Sequence, residues 1–169
     1  IDVKEVPYHC LRGALKRDGK HLYQWTAIDE YTRIRFIYGF EEHTPENTVK
    51  FFKMLQKVFP FKIQTIQTDN GTEFTYKYIS DTEECPFDKA LKEAGIEHKL
   101  IPPRTPWHNG KVERSHRNDQ RYFYDWEHFR SLEEFNDKLH KHLLWSNRKS
   151  MRTLGRKSPV QLLKEKLKA

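Results

Sequence analysis

Three short segments rich in β-branched and aromatic residues, 1–6, 22–29 and 33–40, follow one another before any helical periodicity begins. Polar or glycine-containing stretches such as 16–20 separate them, so they read as consecutive strands. Thr44-Pro45 then supplies an N-cap and a first-turn proline, and Val49, Phe52, Leu55 and Phe59 recur at helical spacing as far as Pro60. From there the pattern alternates. Residues 62–68 form a fourth strand that runs into the turn Asp69-Asn70-Gly71, residues 87–94 a short helix stopped by Gly95, and residues 96–100 a fifth strand. Strand, helix, strand implies a crossover onto a parallel edge. Pro102, Pro103 and Pro106 keep the stretch to Gly110 out of a helix. Helical patterns resume from Lys111 to about Asp125, then behind the capping box Ser131-x-x-Glu134 with Leu132, Phe135, Leu139 and Leu143, and finally at Ser158-Pro159.

A meander followed by crossovers predicts an α/β domain of ribonuclease-H-like topology, a mixed five-stranded sheet flanked by helices. The 169 residues suit one domain, 1–169, and such a length can bury a core without disulfide or metal staples. The chain opens without methionine directly in a strand-like segment, as a piece excised from a longer protein would. Lys+Arg 31 against Asp+Glu 24 leaves a net charge of +7, which favours a polyanionic partner. A mean hydropathy of −0.93 and the lack of any apolar run near ~18 residues exclude a membrane-spanning helix. Cys10 and Cys85 are too few for a disulfide framework and read as free thiols of a reducing compartment. His9 beside Cys10 has no second local pair with which to form a zinc site.

Three acids stand at element ends: Asp2 in the first strand, Asp69 after the fourth, and Glu113 opening the helix behind the prolines. In α/β sheets functional groups gather at strand ends. Clustered carboxylates suit hard divalent cations and phosphodiester chemistry. Each acid also has an ordinary reading. Asp69 can be a turn former, Glu113 a first-turn acid that complements the helix dipole, and Asp2 a solvated terminal residue. Asp29 also ends an apolar strand, and periodicity does not choose between it and Asp2.

The wording of the motifs does choose. Asp69-Asn70-Gly71-Thr72-Glu73-Phe74 resembles the D-N-G-x-E-F signature of retroviral integrases and related bacterial insertion-sequence transposases. The segment from Pro103 to Arg114, with Asn109-Gly110 and Glu113-Arg114, resembles the P-x-x-P-x-x-N-G-x-x-E-R block that bears that family's third catalytic acid. Ile28-Asp29 through Arg33 is similar to a second-strand segment whose Asp is not the catalytic one, which moves the assignment to Asp2. Asn147-Arg148, Leu154-Gly155 and Ser158-Pro159 resemble the closing pattern. There are departures: Asp69 and Glu113 lie 44 positions apart, with 78–87 read as an insertion, and Arg148-Lys149-Ser150 replaces the usual Arg-Pro-His.

The resemblance implies a catalytic core with Asp2, Asp69 and Glu113 as an acid triad holding two Mg²⁺ or Mn²⁺ ions. It implies 3′-end cleavage and strand transfer of transposon DNA, a bacterial cytoplasmic setting, and a homo-oligomer assembled on DNA. Lys111, Arg114, Arg117 and Arg121 recur every three or four residues and read as a cationic stripe for DNA, with Arg117 nearest the acids and Asn109 in the approaching loop. His116 reads as a polar packing residue, and Trp107, Tyr122, Phe123, Tyr124 and Trp126 as a core cluster. Two other functions fit the same residues: a ribonuclease-H-like nuclease that only hydrolyses, and a non-catalytic basic DNA-binding domain of a decayed element.

Overall fold

A computed structural model describes residues 1–80, 82–102 and 110–168. Strand β1 (Asp2–Glu5) pairs antiparallel with β2 (Tyr23–Ile28), and β2 with β3 (Arg35–Phe40). Strand β4 (Thr65–Thr68) pairs parallel with β5 (Glu97–Leu100). All five expected strands are present with the expected mixed directions. They form two hydrogen-bonded ladders, β1-β2-β3 and β4-β5, that meet where the Ile1 nitrogen donates to the Gln67 carbonyl at 2.6 Å. That junction sets the start of β1 beside the end of β4.

The helices are α1 (Gly13–Arg17), α2 (Pro45–Val58), α3 (Pro86–Glu93), α4 (Gly110–Asp119), α5 (Leu132–Arg148) and α6 (Pro159–Lys168). A π-helical turn, Gln120–Tyr124, continues α4. Local chemistry fixes the ends. Thr44 Oγ1 accepts the Asn47 N–H ahead of α2, and Ser131 Oγ accepts the Glu134 N–H ahead of α5. Glu134 returns its carboxylate to the Arg130 N–H, one residue before the position a capping box uses. Helix α1 was not expected: five residues with one buried side chain, Leu15, are too few to display a period. Among the described residues no helix is long and apolar enough to cross a membrane.

Alternation along the strands gives the first ladder two unlike faces. Trp25, Ala27 and Phe36 face α2, where Trp25 Nε1 donates to Thr48 Oγ1 at 3.0 Å and Phe36 stacks on Phe51 with ring centroids 5.2 Å apart. Gln24, Thr26, Arg35 and Gly39 face α4 and α5. Phe135 of α5 lies so close that a Cβ on Gly39 would sit 2.3 Å from its ring. The α2 face is apolar. The other carries Gln24 and Thr26, both fully buried. Cys10 and Cys85 are free and buried. Of the aromatic residues expected in the core, Phe123 and Tyr124 are buried, whereas Tyr122 and Trp126 are exposed, because consecutive residues of a helix cannot all face inward. Trp107 lies outside the described residues.

Candidate functional site

Register places Asp2 opposite Thr26, so its side chain shares the polar face beneath α4. One carboxylate oxygen accepts the Val3 N–H at 3.0 Å. Asp69 follows the last residue of β4, and its Oδ1 accepts the Gly71 N–H at 3.0 Å, which fixes the side chain in a turn. Thr68 Oγ1 donates to the Asp69 carbonyl at 2.8 Å and meets His98 Nε2 at 2.8 Å, with Asp88 behind the imidazole. A Cβ at Gly71 would lie 2.4 Å from Glu73 Oε2, so a side chain there would displace the Glu73 carboxylate. Glu73 is buried, with Oε1 2.8 Å from His43 Nε2 in the segment that enters α2.

Asp2, Asp69, Glu73 and His43 thus gather where the two ladders meet. Burial, then the Asp69 carboxylate, pushes the Asp2 pKa up to about 6. His43 is shifted upward, chiefly by its bond to Glu73, with Asp69 and Asp2 adding to the effect. The Ile1 ammonium, its own pKa lowered by burial to about 6, is a second cationic group facing this cluster. Helix α4 covers Asp2 from above, with His116 Nδ1 3.5 Å from Asp2 Oδ2 and Nε2 3.2 Å from Thr26 Oγ1. Burial lowers the His116 pKa to about 4, so the ring is neutral at pH 7. Asp29 serves a turn: its Oδ2 accepts the Thr32 N–H and hydroxyl, both at 2.7 Å.

Glu113 lies exposed in the first turn of α4, one turn before His116. No three His, Cys, Asp or Glu side chains among the described residues stand close enough to share a metal ion, so Asp2 and Asp69 are brought together without Glu113. Oxygen donors on two neighbouring acids, one reluctant to ionise beside the other, fit a single hard divalent ion, which takes one or two carboxylates and completes its shell with water and phosphate. The expected cationic stripe divides. Lys111 pairs with Glu30 at 3.1 Å and Arg121 lies over the Tyr122 ring, 5.4 Å from its centroid. Arg114 and Arg117 are exposed, and no carboxylate pairs with either among the described residues. Asn109 lies outside the described residues.

Sequence reasoning missed a second charged centre under the same helix. Arg35 donates from Nη2 to both carboxylate oxygens of Asp119 at 2.9 Å, Gln24 donates to Asp119 Oδ2 at 3.0 Å, and His142 Nε2 lies 2.8 Å from Oδ1. Burial alone would raise the Asp119 pKa; Arg35, His142 and Gln24 outweigh it and hold the group far below the usual carboxylate range. Gln24 also donates to Thr26 Oγ1 at 2.9 Å, so polar contacts run from this centre through Thr26 and His116 to Asp2. Glu73 was legible within the D-N-G-x-E-F motif but had no role assigned. His43 carried no local signal.

Comparison with known proteins bears on the whole chain. A family profile described as Integrase core domain matches residues 5–106, and a second of the same description matches residues 94–159. ORF3 of Spiroplasma virus SpV1-C74, named for an integrase, is 29% identical over 141 residues, covering 72% of this chain and 37% of that protein. The retrovirus-related Pol polyprotein from transposon RE1 of Arabidopsis thaliana is 33% identical over 95 residues, 54% of this chain and 6% of the polyprotein. The chain therefore spans little more than a third, or far less, of these relatives' length. Among solved structures, the catalytic core domain of BIV integrase superposes with a TM-score of 0.64 over 98% of this chain and 93% of its own, at 18% identity. A chain of the simian T-cell lymphotropic virus intasome, in complex with PP2A regulatory subunit B56 gamma, gives 0.65 at 21% identity, over 85% and 48%. At these identities the likeness is one of fold.

Proposed function

Because the chain belongs to the Integrase core domain family, we propose that it is the catalytic core of a DNA transposase of the bacterial insertion-sequence kind, cutting an element's 3′ ends and joining them to target DNA. The observation that carries the reading is the gathering of Asp2, Asp69 and Glu73 with no lysine or arginine among them: burial and like charge raise the Asp2 pKa, and a cation would relieve both. Members of the family generally use divalent metals. Asp2 and Asp69 would hold Mg²⁺ or Mn²⁺, and Glu113 would complete a two-ion site by turning its carboxylate from the first turn of α4 toward Asp2. Bound there, the ions would screen the phosphate and make the attacking hydroxyl more acidic.

The chain's own groups do the rest. Arg117, exposed one turn beyond Glu113, takes a phosphate of the strand being cut. Glu73 and His43 hold the floor of the cluster, and neutral His116 keeps Asp2 under α4. Water's oxygen bonds to phosphorus as the element's 3′ oxygen leaves. The freed 3′-hydroxyl then bonds to a target phosphorus while the target's own 3′ oxygen departs. Two copies acting on the two ends of an element call for a homo-oligomer on DNA.

The test is strand transfer of a labelled element end with Mn²⁺, using Asp69→Asn as the control. Wild type should yield both cleaved and joined products, and the variant should lose about a thousandfold or more of each while still binding DNA. Cleavage without joining would identify a hydrolytic nuclease. Equal products from wild type and variant would leave the acids a structural role only.

A further inference from the structure

The acid cluster occupies one side of α4; the other side forms a wall of a cavity of about 440 Å³ whose opposite wall is the end of α5. Lys111, Arg114, Asn118 and Tyr122 repeat at three- and four-residue spacing and so share one stripe of α4 and its π-helical extension. His142, Trp145 and Lys149 do the same on α5. Arg33, held at positive φ in the turn before β3, and Arg152, just beyond α5, add cations at the rim.

The charge of this groove is almost unopposed. Glu30 pairs with Lys111, and Asp119 on the floor is already matched by Arg35 and His142. No carboxylate pairs with Arg114, Lys149 or Arg152 among the described residues. Lys149 has no acid to hold it and is fixed by aromatic faces instead: its Nζ lies 3.9 Å from the Tyr122 ring centroid and 4.6 Å from that of Trp145. Those rings stay 41% and 45% exposed. Ordering a lysine on two rings costs side-chain entropy, which cation–π attraction offsets, and it leaves the ammonium presented to a ligand. The groove thus offers several cations with almost no opposing acid, beside two exposed aromatic faces, along α4 and the end of α5.

We infer that the groove between α4 and α5 is a second DNA track, gripping the phosphodiester backbone through Arg114, Lys149 and Arg152 on the side of α4 opposite the acids. This rests on the reading of the chain as a DNA transposase core and adds where the substrate lies beyond the cutting site. A duplex engaged by both faces of α4 is clamped by the helix that bears Glu113, so groove contacts steady the strand presented to the acids.

The experiment is fluorescence anisotropy of this chain with a labelled DNA duplex across a salt series, comparing wild type, Lys149→Ala/Arg152→Ala, and Lys53→Ala/Lys57→Ala on the exposed face of α2 as a control of equal charge change. Each lost phosphate contact should reduce the slope of log affinity against log salt by about 0.9, so the groove variant should lose about 2 of slope and about tenfold or more in affinity at low salt. The α2 control should keep the wild-type slope, and Lys149→Arg/Arg152→Lys should restore it. Equal slopes for groove variant and wild type, or an equal drop in the control, would overturn the groove. A wild-type chain with no salt-dependent DNA binding would overturn the transposase reading itself, which is a different result. Both substituted groove residues are exposed and lie at or beyond the end of α5, so unchanged thermal unfolding should accompany the lost binding.

Discussion

Asp2 and Asp119 lie under the same helix, joined through His116, Thr26 and Gln24, yet their surroundings have opposite character. Asp119 is saturated: a two-bond guanidinium, an imidazole and an amide meet its oxygens, and it stays ionised although fully buried. Asp2 has one backbone N–H, a neutral imidazole, the Ile1 ammonium and two further acids nearby, and the burial and like charge prevail, so its pKa climbs to about 6. A saturated buried charge has no bonding capacity to spare and can only be structural. An undersaturated one is a cost to the fold that a bound cation removes, which is the usual signature of a working site. The same polar face of the first ladder therefore holds a brace at one end and a site at the other.

The largest effect expected from breaking this contrast is on the brace. Asp119→Ala leaves the Arg35 guanidinium buried without a counter-charge and should cost about 3–5 kcal/mol in urea unfolding. The double change Arg35→Met/Asp119→Leu should recover most of that loss, because two apolar side chains of similar volume avoid the desolvation of both charges. A single variant as stable as wild type would show that the pair is not the brace inferred from its geometry.

At the site the sign reverses. Asp2 binds its proton more tightly in the fold, at about 6, than its ordinary 3.8, so the folded state carries excess protons between those values. Asp2's own contribution to stability is complete below about pH 4 and is lost as pH rises through 6, while His116, its pKa lowered to about 4, contributes with the opposite sign over the same range. With EDTA present, Asp2→Asn should remove the Asp2 loss and stabilise the chain by about 1–3 kcal/mol at pH 7.5. Mg²⁺ should stabilise wild type by mass action and Asp2→Asn far less. A destabilising Asp2→Asn would place Asp2 with the brace.

Much of this was open to reading in the sequence, for local reasons. Strands, caps and the turn at Asp69 follow from patterns a few residues long, and Asp2 and Asp69 fall at strand ends because the alternation stops there. The brace was not read, although half of it was visible. Val112, Ser115 and Asp119 share the buried stripe of α4, and an acid on such a stripe demands a partner. Arg35 occupies an inward position of β3 beside Ile37 and Gly39. Pairing them spans 84 positions of chain, which no local period reports. The cationic stripe is spread for a geometric reason: successive steps of three residues drift about 60° around a helix, so Lys111 and Arg114 line the groove beside α5 while Arg117, one turn beyond Glu113, does not. Helix α1 was too short to show a period.

The smallest effect separates the two titrating members of the site. His43 binds its proton more tightly in the fold because Glu73 accepts from it, so its contribution to stability is complete below about pH 6.5 and is lost as pH rises through the raised folded value. With its side chain more than a third exposed, screening reduces that contribution to a few tenths of a kcal/mol. His43→Gln keeps a donor for Glu73 and removes the charge, so it should flatten stability above pH 6.5 while leaving the Asp2 step between 4 and 6 in place. Asp2→Asn should do the converse and also lower the His43 pKa measured by NMR, because one of the acids that raises it is gone. A His43 resonance whose titration is indifferent to Asp2 would separate the two groups electrostatically, and the cluster would then reduce to Asp69 and Glu73.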